Sequence, residues 1–261
     1  MSHHHLGILP KTLLAELQSL GRKEGATLFM TLTAATQALL YRYSGQTDFA
    51  VGSPIANRTR SELENLIGFF VNTLVLRADL SGEPSFRGLL ARVRQEALGA
   101  YAHQDLPFEQ LVSVLQPDRD ASRAPLFQVM LVLQNAPLPV PSSAELELTL
   151  LEPSSDTAKF DLTLNFSEEA DGLQAAVEYS TDLFDGATID RMLGHLQTLL
   201  EGVVADPDLA VSALPMLSEA EQLALIGAGG ESSPADLDGL SADELDELLK
   251  QLESDDDAQL G

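Results

Sequence analysis

The chain reads as an α/β or α+β layered domain, and three observations predict it. Apolar residues recur every three to four positions in four long stretches, they alternate in several shorter ones, and the two kinds of stretch are interleaved along the chain. At 261 residues, 44% of them hydrophobic, the chain can bury one large core or two small ones. No stretch approaches the roughly 20 apolar residues of a membrane span.

Taken in order, Met1-Ser2-His3-His4-His5 lacks the apolar core of a secretory signal, so residues 1–9 read as a leader or frayed terminus. A helix is expected over residues 10–24, where Leu13, Leu14, Leu17 and Leu20 share a face, Pro10 suits the first turn and Gly25 stops the run. A second, over 27–43, carries Leu28, Leu32, Ala35 and Leu39 on a face broad enough for a central helix. Asp48-Phe49-Ala50-Val51-Gly52-Ser53-Pro54-Ile55 is a short apolar segment that Pro54 ends or places at an edge. Residues 66–77 read as a strand entered through Gly68 and apolar on both faces apart from Asn72 and Thr73. Pro84 then opens a helix marked by Phe86, Leu89, Leu90, Val93, Ala97 and Tyr101.

Residues 101–125 carry the densest polar chemistry, with Pro107 and Phe108 shaping a loop, and 126–133 should be a buried strand. The prolines of 137–141 cannot join a sheet interior. Alternation returns at 146–150, 160–166 and 173–179, with Asp171-Gly172 as the hairpin turn between the last two. A helix over 186–202 closes the globular part. The stretch 228–234 is small and polar, a linker. Beyond it Ser241 and Glu244 form a capping box, and Leu245, Leu248, Leu249 and Leu252 line one face of a short acidic helix. Such a helix is marginal alone in water. It reads either as an element that folds on docking to a partner, or as a disordered tail or a helix returning to its own domain.

The formal net charge is -25, and its placement says more than its size. Residues 1–123 hold 12 Lys plus Arg against 12 Asp plus Glu, whereas 124–261 hold 3 against 28. Nucleic acid is therefore not the expected partner. The arginines between 58 and 123 read as solvated helix faces with ordinary ion pairs, or as a patch receiving an acidic partner or phosphate-bearing arm. With no cysteine there is neither a disulfide framework nor a thiol nucleophile, which is consistent with the cytoplasm. No nucleophile elbow, phosphate loop or metal-ligand spacing is present. His103 lies close enough to Asp105 for the carboxylate to orient its imidazole, though a structural hydrogen bond tying a helix end to the next turn is the plainer role. His195, in the closing helix, reads as surface or packing.

Three blocks together resemble the condensation domains of nonribosomal peptide synthetases: Ile67-Gly68-Phe69-Phe70-Val71-Asn72-Thr73, His103-Gln104-Asp105-Leu106-Pro107-Phe108-Glu109 and Arg119-Asp120-Ala121-Ser122-Arg123-Ala124-Pro125-Leu126. The segment from Asp48 to Gly52 resembles a block of the wider chloramphenicol acetyltransferase superfamily, in which the aspartate is structural and held by an arginine. The resemblance covers roughly residues 13–217. It implies an acetyltransferase-like lobe with a mixed β-sheet packed by helices, one of two lobes that face each other across a tunnel. Donor and acceptor arrive there as thioesters on the phosphopantetheine arms of carrier proteins and are joined as an amide. No bound cofactor is implied.

The family's catalytic block, His-His-x-x-x-Asp-Gly, belongs to the first lobe, and the motifs found here belong to the second. His4-His5 begins like that block but continues Leu9-Pro10 where Asp-Gly is required, so no catalytic residue is expected in this chain. The resemblance makes Arg58 the partner of the catalytic block's aspartate across the lobe interface. It places Asn72, Thr73 and His103 near the tunnel, and gives Asp48, Gly52, Gly68, Asp105, Pro107, Phe108, Arg119, Ser122 and Arg123 structural or bracing roles. The expected organisation is a leader at 1–9, the lobe at 10–217, a linker at 218–234 and a possible docking tail at 235–261 that meets a downstream part of the synthetase. A non-catalytic module that docks a carrier protein or another synthetase chain is the alternative, and an epimerising or ring-forming sibling domain a third reading.

Overall fold

The computed structural model describes residues 2–58, 60–64, 66–117, 123–134, 157–218 and 220–223. The chain divides into two units, Met1–Met216 and Leu217–Gly261, and the fold below is that of the first. Its elements run β1 (Ser2–Pro10), α1 (Lys11–Lys23), α2 (Leu28–Ser44), β2 (Asp48–Ile55), α3 (Ser61–Glu64), β3 (Asn72–Asp79), α4 (Phe86–Ala102), α5 (Phe108–Leu115), β4 (Val129–Gln134), β5 (Leu162–Glu169), β6 (Gly172–Ser180) and α6 (Gly186–Ala205). The strands form one mixed six-stranded sheet in the order β1-β6-β5-β4-β2-β3.

The long helices stop and start where the side chains dictate. Thr27 caps α2 by accepting from the Met30 N–H, and Gly45, at φ 70°, ends it in the left-handed region that a β-carbon disfavours. Ser85 caps α4, and Asp185 caps α6 by accepting from the Thr188 N–H at 2.6 Å. That backbone hydrogen bond holds the Asp185 carboxyl below its ordinary value. Because the folded value is the lower one, the cap stabilises fully above the unfolded carboxyl's value, roughly 4, and its contribution is lost as pH falls through the folded value. Asp185→Ala is therefore expected to lower the thermal midpoint at pH 7, and the gap to the parent chain should narrow as the scan is repeated at progressively lower pH.

All four long helices lie on one face of the sheet. Leu17, Leu39, Leu89 and Leu199 from α1, α2, α4 and α6 meet Val51, Leu131, Leu164 and Val177 in a single core. In β5 the core takes Leu162, Leu164 and Phe166, and in β6 it takes Leu173, Ala175, Val177 and Tyr179. The residues between them point to the other face, as the period of two requires. Among the described residues that second face is covered only toward β2 and β3, by α5 and the rings of Phe108, Phe127 and Phe160.

Three expectations need correction. Residues 2–10 are not a frayed leader: they pair antiparallel with β6 along their whole length, from Ser2 opposite Ser180 to Pro10 opposite Gly172. Leu9 is buried in the core and the His5 ring bonds Asp190 at 2.6 Å. The strand expected over 66–77 begins only at Asn72, and Leu66, Ile67, Phe69 and Val71 before it are exposed. Helix α5, expected as loop, starts at Phe108, with Pro107 as its N-cap residue. The alternating stretch 146–150, the prolines of 137–141 and the tail helix lie outside the described residues.

Candidate functional site

Residues 66–71 stand out first. Ile67 is fully exposed, Phe69 is 90% exposed, and Leu66 and Val71 are exposed as well. Large apolar side chains grouped in this way mark surface meant to be covered. The segment is nevertheless held in place by Arg58, whose guanidinium donates to the carbonyls of Leu63 and Gly68 and stacks on the Phe70 ring with Cζ 4.4 Å from its centroid. Within this unit the guanidinium of Arg58, expected to face a carboxylate of the other lobe, bonds to and stacks on the exposed segment. Gly68 leaves room for the Phe70 ring, which a β-carbon would meet at 3.0 Å.

Asn72 begins β3 at the end of this segment, and its amide spends both hydrogens and its oxygen on one turn. Nδ2 donates to the carbonyls of Gln104 at 2.8 Å and Leu106 at 2.7 Å, and Oδ1 accepts from the Phe108 N–H at 3.1 Å. One side chain thus ties two sequence motifs together and sets the start of α5. Asn72, expected near the tunnel, acts within this unit as a staple. Thr73 follows on β3, half-buried and in register with Pro54. His103 ends α4 as its C-cap residue, and its ring, like the Asp105 carboxylate, is exposed with no hydrogen bond between the two. His103 lines neither of two open grooves, one of about 230 Å³ between β1 and α6, the other of about 320 Å³ lined by Gln37, Arg77 and Arg92.

Beyond α5 the chain returns through Leu126, at φ 71°, where the Phe127 N–H donates to the Pro125 carbonyl at 3.0 Å. This tight γ-turn is strained for a leucine. It turns Phe127 onto the second face of the sheet, 1% exposed, between Phe108 at 5.6 Å and Phe160 at 5.3 Å. Gly52 is required beneath it, since a β-carbon there would overlap the Phe127 ring. At this point β2 meets β4 in parallel, Gly52 opposite Met130. Asp48 is gripped by Arg77, which donates from Nε at 2.8 Å and from Nη2 at 2.6 Å. The arginine's hydrogen bond holds the carboxyl below its usual range, so it stays ionised.

His195, read as surface or packing, is buried in α6 and shares a 2.7 Å hydrogen bond between Nδ1 and the Tyr43 hydroxyl. Arg123 is exposed, and Arg119 and Ser122 lie outside the described residues, as do Leu245, Leu248, Leu249 and Leu252. Among the described residues no three His, Cys, Asp or Glu side chains converge to hold a metal ion, and no helix is long and apolar enough to cross a membrane.

The family model for the condensation domain matches residues 3–226. The chain belongs to the condensation-domain family of nonribosomal peptide synthetases. It is 55% identical over 216 residues to one polypeptide of the linear gramicidin synthase of Brevibacillus parabrevis, covering 82% of this chain and 4% of that protein. To a second polypeptide of the same synthase it is 49% identical over 251 residues, 95% of this chain and 3% of that protein. This condensation-domain chain thus spans a few per cent of the length of these relatives. Among solved structures it resembles the X-domain from teicoplanin biosynthesis, with a TM-score of 0.74 and 28% identity, covering 83% of this chain and 50% of that one. It also shares its fold with a four-domain nonribosomal peptide synthetase bound to AMP and glycine, with a TM-score of 0.78 and 23% identity, over 85% of this chain and 18% of that one.

In this condensation-domain chain the motif residues therefore do architectural work. Asn72, Gly52, Phe127 and Arg58 hold the segments around β3 and β4 in place. Sequence reasoning missed the staple because an asparagine's partners 32 to 36 positions away leave no local trace.

Proposed function

We propose that this chain is the second lobe of a condensation domain and forms one wall of the tunnel in which two carrier-borne thioesters are joined as an amide. The observation that carries the reading is the extent of the structural match: most of this chain accounts for half of a solved relative. The exposed apolar segment at 66–71, inside one of the family's motifs, supports it as the place where further protein is seated. In the reaction the acceptor amine attacks the donor's thioester carbonyl. The C–N bond forms, the C–S bond breaks, and the carrier's thiol leaves with a proton. The carriers bring both substrates on phosphopantetheine arms, with no cofactor resident on this chain, and the reaction takes place in the cytoplasm. This lobe supplies shape and surface. The His-His-x-x-x-Asp-Gly block that would handle the proton has no counterpart in its sequence, and such assistance is worth roughly 10²- to 10⁴-fold.

The test is amide formation by the purified chain with donor- and acceptor-loaded carriers, alone and with a separately expressed first lobe from a linear gramicidin synthase condensation domain. Product is expected only in the mixture; equal product from the chain alone would refute the proposal. The tail at 235–261 is assigned to docking on a downstream synthetase polypeptide. The 49% identity to the second linear gramicidin synthase polypeptide favours this, because that match covers 95% of the chain and so reaches into the tail. Deleting 235–261 should abolish binding to the downstream partner and leave amide formation in the lobe mixture intact. If the tail and carrier binding are the chain's whole role, the docking-module alternative, the lobe mixture will make no product.

A further inference from the structure

The groove of about 320 Å³ beside β3 gathers polar groups that the fold leaves unmatched. Its floor includes Gln37 of α2 and Val93 of α4, which are 1% and 3% exposed. Its sides are Arg92 and Glu96 of α4 and Arg77 and Asp79 of β3. Gln37 is the unusual member. Neither Nε2 nor Oε1 of its carboxamide has a hydrogen-bonding partner in the protein, and both are shielded from bulk solvent. A buried amide left unpaired at both ends is costly, and such groups in folded proteins find partners. The group that satisfies a carboxamide as donor and acceptor at once is another amide.

The charges at the sides divide into spent and unspent. Arg77 is spent on Asp48, and Asp79 accepts from the Ser81 N–H at 2.9 Å. Arg92 donates from Nη1 to the carbonyls of Asp79 and Ser81, both at 2.9 Å, with the Asp79 carboxylate 3.6 Å away. These bonds fix the guanidinium at the groove and leave its Nε and Nη2 without a hydrogen bond to any described residue. The Glu96 carboxylate makes none either. Arg92 and Glu96 stand four residues apart on one face of α4, about 6 Å along its axis. An extended dipeptide spans at most roughly 7 Å. Its carboxylate, amide and ammonium match the free donors of Arg92, the carboxamide of Gln37 and the carboxylate of Glu96. A simple anion or cation would satisfy one end of the groove and leave Gln37 unpaired.

We propose that the groove between α2, β3 and α4 is a binding site for a short zwitterionic peptide of dipeptide size, with Gln37 pairing its amide, Arg92 its carboxylate and Glu96 its ammonium. The site lies among the helices and does not depend on the reading of this chain as one lobe of a condensation domain.

The test is NMR titration of the full chain with four soluble probes: alanyl-alanine, N-acetyl-alanyl-alanine, which lacks the ammonium, alanyl-alanine amide, which lacks the carboxylate, and free alanine, which lacks the peptide amide. Shifts are expected on β3 and α4, with alanyl-alanine binding at least about tenfold tighter than each of the others. Glu96→Gln should remove the preference over the N-acetyl probe. Gln37→Met, which keeps the length of the side chain without its hydrogen bonds, should weaken alanyl-alanine to the level of alanine. A thermal scan reports whether each variant is folded, and Glu96→Gln, at an exposed position, carries the test if Gln37→Met does not fold. Equal binding of the four probes, no binding of alanyl-alanine, shifts confined to other surfaces, or preferences unchanged in the folded variants would each overturn the proposal. Product in the lobe-mixing assay, or its absence, leaves this result unaltered, so the two readings fail separately.

Discussion

Asn72→Ala is expected to destabilise the domain by about 2–4 kcal/mol, because three hydrogen bonds worth about 0.5–1.5 kcal/mol each are lost together. The carbonyls of Gln104 and Leu106 would lose their donor, and the Phe108 N–H would lose its acceptor at the first turn of α5. Helix α5 has no fully buried residue of its own, so little else fixes where it starts. Asn72→Asp should be no better, since a carboxylate would face two carbonyl oxygens. Chemical denaturation measures the loss, and hydrogen exchange should show the amides of Leu111 and Gln116 opening first. A change under about 0.5 kcal/mol, the low end for one hydrogen bond, would mean that backbone geometry alone sets this turn.

Phe127→Ala should cost about 3–5 kcal/mol, the usual range for emptying a buried aromatic site. It removes the ring that Phe108 and Phe160 flank and that fills the space above Gly52. Gly52→Ala should cost about 1–3 kcal/mol for the opposite reason, a β-carbon forced into an occupied space. The two changes are not independent. Once the ring is gone the added methyl has room, so the double variant should be less destabilised than the sum of the two. Additive losses in denaturant titrations would show that Gly52 and Phe127 do not share this space.

Much of the fold is legible from local rules. Helical spacing locates α1, α2, α4 and α6 to within a few residues, and Thr27, Ser85 and Asp185 are capping residues at the starts of the last three. What local rules cannot tell is what a segment packs against. Residues 66–71 are as apolar as a core strand, so periodicity reads them as one, yet they lie outside the sheet with Ile67 and Phe69 in solvent. The histidine run of 3–5 looks like a leader by composition. The structure shows an edge strand whose Leu9 reaches the core, and the apolar residues Leu6, Ile8 and Leu9 were the available signal. The motif residues are recognisable as a set, but their roles are not. Asn72 is a staple because of carbonyls on a distant turn, and Arg58 grips its own neighbouring segment. His103 and Asp105, adjacent enough in sequence to suggest a pair, both face outward unjoined.

On the proposed reading, the bare segment at 66–71 is the seam of a two-lobed enzyme. Hydrogen exchange of the full chain, with and without the first lobe from a linear gramicidin synthase condensation domain, tests this directly. The amides of residues 66–71 should exchange rapidly in the chain alone and be protected at least about tenfold when the first lobe is added. Unchanged exchange there under conditions in which the two lobes make amide product together would contradict it.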